Sequence, residues 1–319
     1  MKAAIRRNYG TADKITVENV SIPQLKEDQI LIEVFATTVN RTDCANLTAK
    51  PFIMRFVLGL FKPRKIILGT DFSGKVTAVG KNVNKFKVNE HVFGFVDTGS
   101  ESQAEFVVNT ESQVFKMPDN IDFKSAVASL EGGHYAYSFT HKVEIQNGQS
   151  VFINGASGAI GSALLQFVSQ YDVKVSASCS TKNIELIKSL GAETVFDYTK
   201  EDFTEDTNQY DFIFDAVGKT TFGKCKHLLK KHGVYISSEL GPYAQNIFLA
   251  LFTPLFNKRK VIFPIPFAHS KTIPFIIQNL ENETFKPVID KTYKLEDIAE
   301  AYKYVSKGMK TGNVIVDTH

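Results

Sequence analysis

A length of 319 residues allows two domains and a sizeable core, and a hydrophobic content of 43% excludes an intrinsically disordered chain. The net charge of +3 is dispersed along the sequence, which gives no support for nucleic acid or an acidic protein as a partner. Three scattered cysteines, no signal-peptide pattern and no apolar run long enough to span a bilayer predict a cytoplasmic protein without a membrane span.

The first part of the chain is predicted to be rich in β-structure. Residues 1–120 contain short strand patterns, such as 30–34 and 106–108, separated by glycines that favour turns. From Lys124 the pattern changes to alternating helices and strands, at 124–141, 151–153, 158–170, 173–177, 182–190, 194–196, 211–214, 220–230 and 234–238. This alternation predicts a doubly wound parallel sheet.

The end of the sequence returns to mixed elements. Apolar residues share one face of a predicted helix over 295–305, and the last predicted strand covers 313–316. The sequence therefore predicts an α/β protein in which a β-rich domain is interrupted by a nucleotide-binding domain. The predicted boundaries are 1–122 and 266–319 for the β-rich domain and 123–265 for the inserted one.

The strongest functional pattern is the stretch 151–167, VFINGASGAIGSALLQF. A buried strand, a glycine-rich turn and a helix follow one another, as in sites for a dinucleotide pyrophosphate. The spacing GxxGxxG also occurs in ordinary α/β loops, but the flanking strand and helix are the context that cofactor binding requires. The predicted cofactor-binding turn consists of Gly155, Ala156, Ser157, Gly158, Ala159, Ile160 and Gly161.

Each glycine of this turn has a predicted role. Gly155 makes the tight turn, Gly158 leaves room for the phosphates, and Gly161 lets the helix pack closely on the strand. The unpaired N–H groups and the positive dipole end of the new helix face the phosphates.

Five further stretches follow one another along the chain: GTDFSGKVTAVG at 69–80, FKVNEHVFG at 86–94, SLGAE at 189–193, DAVG at 215–218 and KTGNV at 310–314. In their order and separation they resemble medium-chain dehydrogenases/reductases of the zinc-free, quinone oxidoreductase-like branch. The resemblance covers the whole chain and implies a GroES-like substrate domain interrupted by a Rossmann domain, with the active site between them. It also implies a homodimer that pairs strands near 260–263.

The turn after the predicted strand 173–177 favours NADPH over NADH. An NAD site usually carries a carboxylate there, whereas this turn reads SCSTK, whose hydroxyls and cation suit a 2′-phosphate. Alternatively, Ser180 caps the next helix and Lys182 lies in solvent, and both interpretations can hold together. The resemblance implies adenosine-phosphate contacts from this turn and a tyrosine, and we assign them to Ser178, Ser180, Thr181, Lys182 and Tyr198. Further cofactor contacts are assigned to Ala216, Val217, Gly218 and Ser237.

The sequence predicts no metal site. Asn40 and Thr70 stand where zinc-dependent relatives carry a cysteine and a histidine, and three cysteines cannot form a four-cysteine zinc loop. His91, His134 and His269 are isolated in the sequence and are interpreted as structural.

Without a Lewis acid, the remaining chemistry is hydride transfer from NADPH to a small apolar quinone or α,β-unsaturated carbonyl (enone). Asn40 and Tyr135 are the catalytic candidates. Asn40 occupies the lost zinc-ligand position, although it could instead bond nearby backbone at a strand end. Tyr135 stands where relatives often carry a threonine near the nicotinamide. Asp43 and Asp71 are interpreted as structural.

Two stretches, 52–61 and 247–256, are unusually apolar. They are interpreted as core or subunit packing, or as an apolar wall of the substrate pocket. The intact cofactor turn favours an enzyme, whereas the lack of an identified proton donor leaves open an NADPH-binding redox-sensing or structural protein with little turnover. A zinc alcohol dehydrogenase is opposed by the residues at the ligand positions.

Overall fold

The computed structural model describes residues 1–256 and 258–319, which separate into two compact units. The first unit comprises Met1–Glu131, Ile273–Glu281 and Pro287–His319, and the second comprises Gly132–Thr272 and Asn282–Lys286. The chain thus leaves the first unit and later returns to it, as expected for a domain interrupted by an insertion.

The described residues form strands and helices with the following bounds. The strands are β1 (Lys2–Arg6), β2 (Ile15–Asn19), β3 (Gln29–Thr38), β4 (Asp71–Val79), β5 (His91–Phe95), β6 (Phe106–Thr110), β7 (Phe115–Lys116), β8 (Ser150–Asn154), β9 (Lys174–Cys179), β10 (Thr194–Asp197), β11 (Tyr210–Asp215), β12 (Leu229–Ser237), β13 (Lys260–Ile262), β14 (Ile289–Lys294) and β15 (Asn313–Asp317). The helices are α1 (Arg41–Thr48), α2 (Met54–Leu58), α3 (Phe123–Thr140), α4 (Ala159–Val168), α5 (Ile184–Ser189), α6 (Phe222–Cys225), α7 (Gln245–Phe256), α8 (His269–Glu281) and α9 (Ile298–Ser306).

The first unit is built on a mixed sheet in the order β14-β15-β3-β4-β5-β7, with β6 also paired to β3. The long strand β3 organises this sheet because β6 and β15 share one of its edges while β4 pairs along the other. Side chains along the first part of β3 alternate between buried and partly exposed, as expected for a sheet that covers a core on one face. Ile30, Ile32 and Val34 pack there with Phe72 and Val76.

The second unit contains the predicted doubly wound sheet. Its strand order is β10-β9-β8-β11-β12-β13, and every neighbouring pair is parallel. The order reverses between β8 and β11, where open α/β sheets bind ligands beyond the carboxyl ends of their strands. The glycine turn follows β8 and therefore lies at this position.

The helix predicted over 220–230 is wrong in its extent. Helix α6 ends at Cys225, a 3-10 turn follows, and β12 has already begun at Leu229. One core cluster contains Phe222, Cys225, Leu228 and Leu229, which have helical spacing. These residues nevertheless belong to an α-helix, a 3-10 turn and a strand. The spacing of the apolar residues reflects their burial in the core, so periodicity alone predicted the wrong backbone conformation.

The two apolar stretches are largely exposed, so core packing within the chain is the wrong interpretation for much of both. In α7, exposed side chains include Phe248, Leu251, Phe252 and Leu255. The other stretch surrounds α2. None of the helices among the described residues has the length and apolar character needed to cross a bilayer.

Candidate functional site

The glycine turn after β8 combines two crowded positions with one open position. Gly155 has a φ of +78°, and a Cβ there would lie 2.3 Å from a methyl carbon of Val217. A Cβ on Gly161 would lie 2.2 Å from the carbonyl oxygen of Gly155. At Gly158, in contrast, the nearest such atom is 3.7 Å away. The fold therefore requires glycine at positions 155 and 161, whereas the backbone at 158 faces free space.

Helix α4 begins directly after Gly158, whose extended backbone occupies the N-cap position. Residues 157–160 are partly exposed, whereas Gly161 and the following seven residues of the helix are buried. The first N–H groups of a helix have no partner within it, so this accessible end of α4 can receive an anion. Together with the free space at Gly158, this geometry fits the pyrophosphate of a dinucleotide.

A chain of hydrogen bonds ties together the strand ends beneath the turn. The Ser178 hydroxyl donates to Asn154 Oδ1 at 2.6 Å and accepts from the Gly155 N–H at 3.0 Å. Asn154 Nδ2 in turn donates to Asp215 Oδ1 at 2.9 Å. Ser178 lies next to the last residue of β9, whereas Asn154 and Asp215 are the last residues of β8 and β11. The chain of bonds therefore fixes the turn to three adjacent strands.

Asp215 extends this network to the other predicted cofactor segment. Its Oδ1 accepts from the N–H of Gly218 at 2.9 Å, and its Oδ2 accepts from the hydroxyls of Tyr235 at 3.0 Å and Ser237 at 3.3 Å. Gly218 has a φ of +66°, so this turn also uses a conformation that favours glycine. Ala216 and Val217 lie between Asp215 and Gly218, and Val217 contacts the glycine turn.

These bonds change the interpretation of two predicted cofactor contacts. Ser178 and Ser237 are both buried, and their hydroxyls are engaged beneath the turns. Ser178 has no exposed surface with which to meet a phosphate. Sequence reasoning missed Asn154 and Asp215 as the residues that organise the site. In each case the signal is a polar residue that directly follows an apolar run, at 151–153 and at 212–214.

The remaining predicted adenosine contacts lie at the same edge of the sheet. The N–H of Tyr198 donates to the carbonyl of Cys179 at 3.1 Å, which places Tyr198 beside the turn that holds Ser180 and Lys182. Ser180 precedes a 3-10 turn and accepts from Asn183 at 3.2 Å, while Lys182 and Tyr198 are exposed. A lysine, a serine and a tyrosine thus lie on neighbouring turns at the ends of β9 and β10.

A carboxylate that the sequence analysis did not consider lies beside this group. Asp197, at the end of β10, accepts hydrogen bonds from the Thr181 hydroxyl and from the Thr199 N–H at 3.0 Å. Lys200 Nζ lies 3.4 Å from its Oδ2. These donors hold the pKa of Asp197 well below its usual range. The carboxylate is buried and bonded internally, and the Thr181 hydroxyl is committed to it.

Asn40 lies in the first unit, buried immediately before α1. Its backbone N–H donates to Asp43 Oδ2 at 2.9 Å, and its Nδ2 donates to the Thr38 hydroxyl at 2.6 Å. The Thr38 hydroxyl donates in turn to Asp71 Oδ2 at 2.6 Å. Asp71 is buried, which raises its pKa to about 6. Asp71 therefore orients the amide of Asn40 through Thr38.

The second lost ligand position, Thr70, is bonded to the same cluster. The Thr70 hydroxyl donates to Asp43 Oδ1 at 3.2 Å. Burial and the neighbouring carboxylates of Asp71 and Glu131 raise the pKa of Asp43. Zinc requires thiolate, imidazole or carboxylate ligands, whereas Asn40 and Thr70 offer an amide and a hydroxyl that already act as donors. These two positions do not fit a zinc ion.

Glu131 adds a third buried carboxyl to the first unit. It accepts a hydrogen bond from the Thr42 hydroxyl on α1, and burial raises its pKa to about 7. The positive charge of Lys310 opposes this rise, and burial lowers the pKa of the Lys310 ammonium group. Burial therefore favours the protonated form of this carboxyl.

Tyr135 and two of the histidines belong to the second unit. The Tyr135 ring meets the His134 ring edge-on, with centroids 5.3 Å apart. His134 Nδ1 lies 2.8 Å from the Thr272 hydroxyl, and its ring centroid is 4.8 Å from that of His269. His134 and His269 are far apart in the sequence, but the fold packs their rings against each other. His91 packs edge-on against Phe123, with centroids 4.9 Å apart.

Comparisons with known proteins agree with this architecture. Residues 26–119 match the sequence family described as alcohol dehydrogenase GroES-like domain, and residues 190–316 match the one described as zinc-binding dehydrogenase. The chain is 30% identical to 2-methylene-furan-3-one reductase of Solanum lycopersicum, over 99% of this chain and 79% of the relative. It is 29% identical to NADPH-dependent alkenal/one oxidoreductase, chloroplastic, of Arabidopsis thaliana, with the same coverage.

A solved structure shows the same fold. The quinone oxidoreductase from Coxiella burnetii superposes with a TM-score of 0.88 and 20% sequence identity, covering 100% of this chain and 99% of that one.

Proposed function

Because the chain belongs to the medium-chain dehydrogenase/reductase superfamily, in its quinone oxidoreductase-like branch, we propose that it transfers hydride from NADPH to a quinone or an enone. The observation that carries the proposal is the glycine turn, fixed by Ser178, Asn154 and Asp215 at the carboxyl edge of the parallel sheet. Two relatives that match nearly the whole of this chain are named 2-methylene-furan-3-one reductase and NADPH-dependent alkenal/one oxidoreductase, which supports this substrate class.

In this proposal NADPH supplies the hydride, and the residues of the chain bind and orient it. The backbone at Gly158 and the first turn of α4 receive the pyrophosphate. Ser180, Lys182 and Tyr198 receive the adenosine phosphate, and the 216–218 turn lines the site further along the sheet edge. Ser178 and Ser237 act from below by holding the two turns in place.

The proposed acceptors require no metal ion. A quinone or an enone delocalises the negative charge left by hydride addition, so hydrogen-bond donors suffice to stabilise it. We place Asn40 and Tyr135 beside the reacting atoms. The donor character of Asn40 and Thr70 supports a zinc-free mechanism.

The proposal extends to the organisation of the protein. Residues 1–122 and 266–319 form the substrate domain, and residues 123–265 form the cofactor domain. The edge strand β13 and the exposed apolar side chains of α7 support a homodimer assembled through this side of the second unit. The free cysteines Cys44, Cys179 and Cys225 support a cytoplasmic location.

Steady-state oxidation of NADPH against a panel of quinones and enones tests the proposed activity. We expect turnover with at least one of these acceptors and little with simple alcohols and NADP⁺. NADPH binding without turnover on any acceptor would favour a redox-sensing or structural role instead.

Elemental analysis of the purified protein tests the proposed lack of zinc. We expect no stoichiometric zinc, and we expect chelators to leave activity unchanged. One bound zinc per chain, or loss of activity on chelation, would contradict the zinc-free mechanism.

A further inference from the structure

A segment that the proposed activity does not use carries exposed apolar side chains in the first unit. We call residues 50–65, KPFIMRFVLGLFKPRK, the basic-apolar segment. Phe61 is 85% exposed, and the other exposed large apolar residues of the segment range from 42% to 68%. They are Phe52, Ile53, Phe56, Val57 and Leu60. Such a concentration of exposed apolar surface marks an interaction site.

The fold holds this segment in a defined shape. Helix α2 ends at the buried Leu58, and Gly59 follows with a φ of +125° that redirects the chain. The Tyr9 hydroxyl donates to the Gly59 carbonyl at 2.6 Å, and the Arg64 N–H donates to the Leu58 carbonyl at 2.8 Å. These bonds close a loop whose tip, at residues 60–62, is exposed. The apolar side chains are therefore presented by an anchored loop.

The charges of the segment have a single sign. It contains the five cations Lys50, Arg55, Lys62, Arg64 and Lys65, and no Asp or Glu occurs between Asp43 and Asp71. The Arg55 guanidinium lies over the ring of Tyr9, 5.0 Å from its centroid, and Lys65 donates to the Gly99 carbonyl at 2.6 Å. Lys50, Lys62 and Arg64 are exposed, and none of them forms an ion pair with another described residue.

We propose that the basic-apolar segment docks the protein on the surface of an anionic lipid bilayer. Aromatic and aliphatic side chains at the tip enter the boundary between headgroups and acyl chains, while the cations contact lipid phosphates at the margin. Each basic residue near an anionic membrane adds to the attraction. The segment rests on the surface, because its single short helix cannot span a bilayer.

A second copy of this chain fits the segment less well. A two-fold contact places the same surface on both sides of the interface. The cations of both copies would then face each other with no carboxylate from either segment between them. An anionic bilayer satisfies both the apolar surface and the charge.

Flotation of the full-length protein with lipid vesicles tests this inference without reference to activity. We expect binding to vesicles of phosphatidylcholine mixed with phosphatidylglycerol, weaker binding as salt is raised, and little binding to phosphatidylcholine alone. Absence of binding to the anionic vesicles would overturn the inference, and so would equal binding to both compositions.

Two double variants separate the apolar from the electrostatic contribution to vesicle binding. Phe56→Ser with Phe61→Ser removes two exposed apolar side chains, one on α2 and one at the tip, and Lys50→Glu with Lys62→Glu reverses two exposed charges. Each pair is expected to weaken vesicle binding by at least about tenfold. The control variants Val88→Ser and Lys85→Glu change exposed residues outside the segment and should leave binding unchanged. Equal loss in the controls, or a segment variant that binds normally, would overturn the inference, as would a segment variant that alters the oligomeric state.

Discussion

Lys182 is the residue on which the choice between NADPH and NADH depends most directly. It is the exposed cation of the turn after β9, and no carboxylate occurs within that turn. A charge-assisted contact with the 2′-phosphate stabilises binding most where solvent is excluded. Because Lys182 is exposed, we expect its contact to contribute a binding free energy near the lower end of the range for such contacts. We expect Lys182→Ala to lower kcat/KM for NADPH by about tenfold and to change that for NADH little.

The comparison should be made for both cofactors at low and high salt. Because the effect is electrostatic, the preference of the wild type for NADPH should shrink as salt is raised. Lys188→Ala is a matched control, since Lys188 is an exposed lysine of α5 that pairs with Glu185. An equal fall in kcat/KM for both cofactors in Lys182→Ala would indicate that the lysine serves folding. A wild type that prefers NADH would refute the assignment of the whole turn.

Glu131 should make the stability of the protein depend on pH. Burial raises its pKa from 4.5 to about 7, so in this window the folded protein binds a proton that the unfolded chain has released. The free energy of unfolding therefore falls as pH rises through the window. Glu131→Gln removes this dependence while keeping an oxygen that accepts from Thr42. Relative to that of the wild type, the free energy of unfolding of the variant should rise by up to roughly 3 kcal/mol between about pH 5 and about pH 8.

Urea unfolding of both proteins across that range measures the effect. Asp43, Asp71 and Lys310 interact electrostatically with Glu131, so the difference between the two curves reports on Glu131 together with its coupling to these groups. Glu193→Gln, at an exposed position, provides the control. Parallel curves for Glu131→Gln and the wild type would contradict the assignment.

At the scale of elements, the β8–α4 turn contains one glycine that is expected to serve cofactor binding and another that serves folding. A side chain at Gly158 enters free space where the phosphates are proposed to lie, so Gly158→Val should fold normally and lose at least about a hundredfold in NADPH affinity. A side chain at Gly161 collides with the Gly155 carbonyl, so Gly161→Ala should cost about 1–3 kcal/mol of stability.

Fluorescence titration with NADPH and thermal unfolding of each variant distinguish the two effects. Gly223→Val is the matched control because the position is similarly open but lies in α6, outside the proposed cofactor site. Normal NADPH affinity in a folded Gly158→Val protein would mean that the pyrophosphate lies elsewhere.

The elements also show what the sequence could and could not predict. The β8–α4 unit was predictable because its apolar run, glycines and helical periodicity are all local. The α6–β12 region was misassigned because core packing imposed the same periodicity on different backbones. The bonds among Ser178, Asn154 and Asp215 depend on β8 lying between β9 and β11. Local pattern does not specify which polar strand ends meet, so two of these residues were missed and one was given an outward-facing role.

At the scale of the whole molecule, the exposed face of α7 predicts assembly. Phe248, Leu251, Phe252 and Leu255 are each more than half exposed, and the neighbouring strand β13 is an edge. Leu251→Glu should therefore convert a dimer into a monomer, because it places a charge in an apolar interface. Sedimentation equilibrium measures the change, with Val88→Glu as a control at an exposed site in the first unit. A wild type that is monomeric would contradict this proposal.

The position of β15 has a consequence for how the protein is made. This strand, Asn313–Asp317, lies between β14 and β3 in its sheet and pairs with residues 36–38 of β3. Domains generally fold as units while the ribosome is still extending the chain. Every residue of the second unit is translated before β15, whereas the first unit lacks an interior strand until residue 317 has emerged. The first unit, which the ribosome begins first, can therefore be completed only last, and until then residues 36–38 of β3 lack their partner on the edge that β15 covers.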